Sequence, residues 1–359
     1  MASTNRSLLA VLVMLGGALA PAVAQPAEKD VIKQLQVKAD LSDQDKAALQ
    51  TWTEQRVQAI ASDDPATAAV GVRELRKAYE QGSPTFKAAL AEVYARLARG
   101  AYKRAGREAA ARLITLVTVF KQPDAPALLV EAIADKRVPV RAAAAVGLRR
   151  LRQELATGEA ATFAQVQQAL ATAGAKESSA VVLKTIYEAL DYTKAGALPD
   201  AQANATAVLN LLVGRGQQYA GGKVSAEAAD TPGLELAGKL LDRYNDDQKK
   251  RLLEASARML AYGVSRYVDD LYQVDDKKSG PVRVALRNRF EQFIIAAENL
   301  LTVLARPASP PAVSKTMQES VADEKRINVA NAMKQWSKLL ADQFGIQVEV
   351  KTDSAEKQP

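Results

Sequence analysis

The stretch Asp124–Leu151, DAPALLVEAIADKRVPVRAAAAVGLRRL, constrains the fold more than any other part of the sequence. Leu128, Leu129 and Ile133 recur at helical spacing. Pro139 then opens a second run, with Val140, Ala144, Leu148 and Leu151 on one stripe. Apolar residues three and four apart place one face of a helix in a core. A proline suits the first turn, where its missing N–H has no intrahelical partner anyway. The stretch therefore reads as two short helices joined by a tight turn. Neither helix can bury its stripe alone, so the unit demands neighbours.

Neighbours of the same kind are present. Shifting the unit back by 54 residues puts Ile133, Val140, Ala144, Leu148 and Leu151 on Tyr79, Phe86, Leu90, Tyr94 and Leu97. That gap is explained if a helix from Ala101 to Phe120 is extra. Shifting forward by 37 puts Ile133 on Leu170, and a shift of 38 puts Leu148 on Ile186. With that helix set aside, recurrence of the unit at roughly this spacing is what stacked repeats would give.

Asp135, Val140-Arg141, Ala144-Ala145, Gly147-Leu148 and Leu151 resemble the second half of a HEAT repeat. The likeness is good for this unit, looser for Pro65–Leu97 and Phe163–Leu190, and covers roughly a third of the chain after Ala24. It implies helical hairpins stacked into a right-handed, curved solenoid that binds partners along its inner face. It carries over no catalytic residue.

The rest of the chain is also helical in pattern. Ser42 with Asp45 three residues on forms a capping box, opening a helix through Leu49, Trp52 and Ile60. Pro65 and Pro84 start further helices; Gly82 ends one and Gly100 breaks the next. Beyond Tyr192 a helix over Pro199–Val213 precedes a Gly-rich piece, and Thr231-Pro232-Gly233 reads as a turn. Two long runs follow, Leu253 to Leu271 and Leu286 to Leu304. Their connection, Asp275–Pro281, is short, so an antiparallel hairpin is expected.

The domain organisation follows: a leader over 1–24, HEAT-like repeats over 25–195, a helical region with the long hairpin over 196–306, a proline-rich linker over 307–322, and a terminal region over 323–359. That last region holds an amphipathic helix over Asp323–Phe344, a short strand over Ile346–Val350 and a loose tail. The fold class expected is all-α, a right-handed helical-hairpin solenoid followed by long antiparallel helices.

The leader has the form of a secretory signal: Arg6, an apolar run from Leu8 to Ala20, and small residues Ala22 and Ala24 before Gln25. Cleavage after Ala24 and a periplasmic or secreted destination are expected. The sequence has no Cys and no His. That removes disulfides, thiolate nucleophiles, Cys-based zinc sites, and the usual general base near neutral pH.

Candidate chemistry among the remaining residue types is thin. Gly216–Val224 misses the spacing of a phosphate-binding loop and lacks the Ser or Thr after Lys223. Asp269, Asp270, Asp275 and Asp276 lack the alternation and Gly of a calcium loop, and Lys277-Lys278 follow at once. Gln318-Glu319-Ser320 resembles the Glu-Ser core of lytic transglycosylases, but the downstream Gly-Leu-Met-Gln stretch is missing. Asn204-Ala205-Thr206 is a glycosylation sequon inside a helical pattern. No catalytic residue, cofactor or metal site is assigned.

Charge carries the functional signal. From Arg96 to Arg152 there are 13 basic and 4 acidic residues, a net of +9. The chain after Ala24 holds 47 basic and 41 acidic residues, net +6, so everything outside this region sums to −3. Arg96, Arg99, Lys103, Arg104, Arg107 and Arg112 surround one turn; Lys136, Arg137, Arg149, Arg150 and Arg152 flank the second helix of the central unit. Arg141 sits where it would tie one hairpin to the next. If the hairpins stack, Arg96, Arg99, Lys103, Arg104, Arg107, Arg137, Arg149 and Arg150 could form one electropositive surface for a partner. Nucleic acid is a poor fit for an exported protein, and there is no aromatic stacking platform. An acidic protein or an anionic envelope polymer is the expected partner. The alternatives are a glycan-acting envelope enzyme using carboxylates, and a structural subunit of an envelope complex.

Overall fold

A computed structural model of the chain describes residues 28–120, 124–222, 224, 226–273, 281–320 and 322–349. The leader, Lys223, the 275–280 connection with its Asp275-Asp276 pair, and the tail from Val350 lie outside these residues.

The described residues form sixteen α-helices, one 3-10 turn and no strand. The first are α1 (Glu28–Gln36), α2 (Asp43–Ile60), α3 (Pro65–Gln81), α4 (Pro84–Arg104) and α5 (Arg107–Val117). The central unit supplies α6 (Ala125–Ala132) and α7 (Val138–Arg150), followed by α8 (Arg152–Ala156), α9 (Ala160–Ala175) and α10 (Ala180–Leu190). Then come α11 (Ala201–Ala220), α12 (Thr231–Lys239), α13 (Asp246–Gln273), α14 (Pro281–Ala305), α15 (Val313–Glu319) and α16 (Ala322–Phe344). No helix among them is long and apolar enough to cross a membrane.

Side-chain caps explain several of the starts. Ser42 and Asp45 close the capping box at α2. Asp64 accepts from Ala66 and Thr67 N–H ahead of α3, and Ser83 accepts from Phe86 N–H ahead of α4. Each satisfies backbone donors that a helix start otherwise leaves orphaned. The stripe residues of the central unit, Leu128, Leu129, Val140, Ala144 and Leu148, are all essentially inaccessible to solvent.

Side-by-side neighbours run parallel at recurring intervals. Arg96 on α4 donates to Gln50 on α2, 46 residues back. The start of α7 meets the start of α5 through Arg137 Nη1 and the Ala105 carbonyl at 2.7 Å. The two helices then run together, for a methyl on Gly147 would stand 2.7 Å from Thr118 Cγ2. Beside α7 lies α10, tied by Arg141 to Glu177 across 36 residues and by Arg149 to Glu188 across 39. Beside α9 lies α11, with Asn204 donating to Gln167 across 37. Beside α11 lies α13, with Gln248 reaching Thr206 across 42. The hairpin α13–α14 is antiparallel, since Tyr267 bonds Glu291 and Gly263 faces Phe293.

Several sequence expectations need correcting. The 54-residue alignment matched α4 with α7, but α4 lies beside α2 and meets α6, while α5 lies beside α7. The helix between Ala101 and Phe120 is thus an ordinary neighbour and not an insertion. Ala-rich helices share apolar stripes by chance, so a match of stripes alone does not identify equivalent helices. Gly100 interrupts nothing; its Cβ position is open apart from Arg104 at 3.9 Å. Helix α11 continues past Val213 through Gly214 and Gly216. A methyl on those glycines would stand 2.7 Å from Ala175 and 3.0 Å from Ala255, so they permit close helix approach.

Thr231-Pro232-Gly233 is the first turn of α12, with the proline at its start. The 307–322 linker contains α15. Glu298, almost wholly buried, accepts from the N–H groups of Val313 and Ser314, both at 2.7 Å, and from Trp336 Nε1 at 2.9 Å. One carboxylate thereby caps α15 and fixes α16. Ile346–Glu349 form no strand, because no neighbouring strand offers them a ladder; Val350 lies outside the described residues.

Candidate functional site

The most concentrated polar chemistry lies in the interior. Arg215 on α11 and Asp230, just before α12, are both fully buried. Arg215 Nε donates to both Asp230 oxygens at 3.1 Å, and Nη2 stands 3.0 Å from Oδ2. Tyr187 and Tyr219 hydroxyls donate to the same carboxylate at 2.5 and 2.6 Å. The remaining Arg215 donors reach the Glu177 carbonyl, Gln218 Oε1 and the Ala226 carbonyl. Burial, then the neighbouring Asp230, raises both tyrosine pKa values well above the ordinary range.

This is a closed network: charge meets charge and the guanidinium donors reach acceptors, so it holds α10, α11 and α12 together. Glu177 continues it. Arg141 binds it in fork geometry at 2.7 and 2.8 Å, and Ser178 and Ser179 N–H donate to it. Burial pushes the Glu177 pKa up, but these donors hold it below the usual carboxylate value. Glu177, Asp230 and Glu298 are the buried acids among the described residues. Each accepts hydrogen bonds from donors on neighbouring elements. Glu319 is exposed and faces Lys315 at 3.9 Å, so the Glu-Ser resemblance has no buried acid. Asn204 is buried between Gln167 and the Leu190 carbonyl, out of reach of any glycosyl transfer.

The eight candidate basic residues separate into different roles. Arg137 is a structural clamp, bound to both Asp135 oxygens and to the Ala105 and Tyr102 carbonyls. Arg137 first, through its side-chain hydrogen bonds, keeps the Asp135 pKa below the ordinary value. Arg149 pairs with Glu188. Arg96, Arg99 and Lys103 lie on the exposed face of α4. Arg96 bonds Gln50, while Arg99, at 3.3 Å, and Lys103 share Glu131. Arg104, Arg107 and Arg150 are exposed and have no side-chain partner among the described residues.

The expected single surface is split. Arg137 stands at the start of α7 beside the α4–α5 turn, and Arg149 and Arg150 at its far end. At 1.5 Å per residue that separation is about 18–20 Å. The basic cluster that forms is the one around the α4–α5 turn: Arg96, Arg99, Lys103, Arg104 and Arg107, with exposed Lys136 nearby in sequence to Arg137. Glu131 faces it, Arg137 holds Asp135 beside the Ala105 and Tyr102 carbonyls of the same turn, and Asp63 stands 3.2 Å from a Cβ position on Gly106. Arg112 and Arg152 serve the fold. The first donates to the Ser62 carbonyl, the second to the Glu188 and Asp191 carbonyls at the end of α10.

Sequence reasoning missed the Arg215–Asp230 and Glu298 centres. A charged residue within a helix's apolar stripe was the available signal, since Arg215 lies three residues after Leu212 and four before Tyr219. No protein-family model matches the chain, and a search of the curated proteins finds no match.

Proposed function

We propose that this is an exported, non-catalytic helical-repeat protein of HEAT-like architecture that binds an acidic partner through the basic ridge at the α4–α5 turn. The repeat reading is supported by parallel lateral neighbours whose contacts recur 29 to 46 residues apart. Each hairpin then supplies one rung of a rigid scaffold. The export reading rests on the form of residues 1–24.

The binding reading is carried by one observation: Arg104 and Arg107 are exposed and have no partner among the described residues, beside Arg99 and Lys103, which together face the single carboxylate of Glu131. Cations clustered in this way attract an anionic surface and hasten encounter with it, an effect that salt screens. The partner is an acidic protein or an anionic polymer of the cell envelope. Affinity capture from envelope extract, washed at low and then high salt, tests this. The expected result is a partner retained at low salt and released at high salt. Retention that is indifferent to salt contradicts an electrostatic ridge.

A further inference from the structure

One outer face of α14 is left unmatched. Gln292, Ile295, Asn299 and Val303 follow one another on it at helical spacing, and a groove of about 230 Å³ runs between them and α12. Val303 is 50% exposed, and Gln292 and Asn299 are exposed as well. No charged residue of α14 lines the groove, and from α12 only Glu235 does. Gly238 leaves room in it, since no atom stands within 4 Å of its Cβ position. Exposed apolar residues gathered on one face, rather than scattered, mark an interaction surface.

The order of these residues identifies what fits there. Ile295 stands four residues before Asn299 and Val303 four after it; Gln292 stands seven before and Arg306 seven after. A two-fold axis through Asn299 lays a second α14 antiparallel on the first. It sets Ile295 against the partner's Val303, and Asn299 against the partner's Asn299, where each amide can donate to the other.

The charges agree with the same axis. Helix α12 begins just after Glu227 bonds Tyr262 on α13, one residue from where Gly263 faces Phe293, and it ends near the start of α13. It therefore runs parallel to α14, which places Glu235 towards the Gln292 end of the groove. Arg306 closes α14 at the other end, its N–H bonded to the Thr302 carbonyl at 2.9 Å. Both side chains are exposed and have no partner among the described residues. Within one copy they lie roughly 15 Å apart along the helix axis. The two-fold axis brings each Glu235 to the partner's Arg306. Asp242 and Arg243, just past the groove, add one charge of each sign, and Arg289 lies a turn outside it.

We propose that the α12–α14 groove is the interface of a homodimer, in which α14 of a second copy lies antiparallel along it with Asn299 on the two-fold axis. The apolar side chains supply the contact. The Asn299 pair and the two Glu235–Arg306 pairs fix its register. The interface uses no residue of the basic ridge, so either proposal can fail alone.

Sedimentation equilibrium of the full chain from about 1 to 100 μM should show a monomer–dimer equilibrium. Asn299→Lys puts two ammonium groups on the axis, and Gly238→Gln fills the groove. Each should weaken the dimer about tenfold or more while helical circular dichroism stays unchanged. Glu235→Arg and Arg306→Glu should each weaken it about threefold to tenfold, and the two together should restore it, because opposite charges face each other again. A monomer at every concentration overturns the proposal. A dimer indifferent to both Asn299→Lys and Gly238→Gln overturns it as well, and so do two charge reversals whose effects simply add.

Discussion

Replacing Asp230 by Asn changes no heavy-atom count, yet it removes the one negative charge facing Arg215. Both residues are at 0% exposure, so water cannot take over. The variant leaves a guanidinium buried without a counter-charge, and breaking such a pair from one side costs about 3–5 kcal/mol. The new amide also points a donor towards a site where Arg215, Tyr187 and Tyr219 already donate. By comparison, Tyr219→Phe removes a single bond to a charged acceptor, about 1.5–3 kcal/mol. Equilibrium urea unfolding followed by circular dichroism measures both. The double variant Asp230→Asn with Arg215→Met should recover part of the loss, because an apolar pair no longer strands a charge. A loss below about 1 kcal/mol for Asp230→Asn would falsify the view that this network is dry and interdependent.

Gly100→Ala should stabilise by about 0.5–1 kcal/mol through helix propensity, whereas Gly147→Ala should destabilise by about 1–3 kcal/mol by driving a methyl into Thr118 and Leu129; thermal melts of the two distinguish them. Glu298→Ala should strand Trp336 Nε1 and uncap α15, at a cost of about 2–4 kcal/mol. In a Trp52→Phe background it should also shift Trp336 emission to the red, and an unchanged spectrum would show that α16 does not depend on the clamp. Glu177 and Asp135 have pKa values held below their unfolded values. Their contribution is therefore complete above the unfolded carboxylate value and lost as the pH falls through their lowered values. Glu177→Gln should flatten that acid limb in a stability profile; a limb as steep as the unaltered chain's counts against the Arg141–Glu177 link.

Much of this fold is legible in the sequence, because helix starts are local events. Ser42 with Asp45, Pro65, Pro84 and Pro139 each announce a helix without reference to distant residues. The hairpin α13–α14 is equally plain from two long stripes and a short connection. Helix ends are less legible. Gly100, Gly214 and Gly216 look alike in sequence, but one faces open space and two admit a neighbouring helix. Lateral partners are harder still: Ala-rich stripes fit one another in many registers, so a register that equates α4 with α7 looks as good in sequence as the packing the structure has, in which α5 lies beside α7.

The candidate site shows the same division. Positive charge near the α4–α5 turn is visible in composition. Which cations remain available depends on acids far away in the chain, Glu188 for Arg149 and Glu131 for Arg99 and Lys103. Arg137 and Arg152 read as surface charge, yet they tie backbone carbonyls of adjoining helices. Asp135 two residues before Arg137 is the one local hint.

The most direct test of the account is the salt dependence of binding to poly-L-glutamate, an acidic stand-in, for the unaltered chain and for Arg104→Glu with Arg107→Glu. Both side chains are exposed and unpaired among the described residues, so the double variant should fold normally. The account predicts about a tenfold or greater loss of affinity at low salt and a flatter dependence on salt for the variant. Equal affinity and an equal salt slope in the two proteins would contradict the basic ridge as the binding surface.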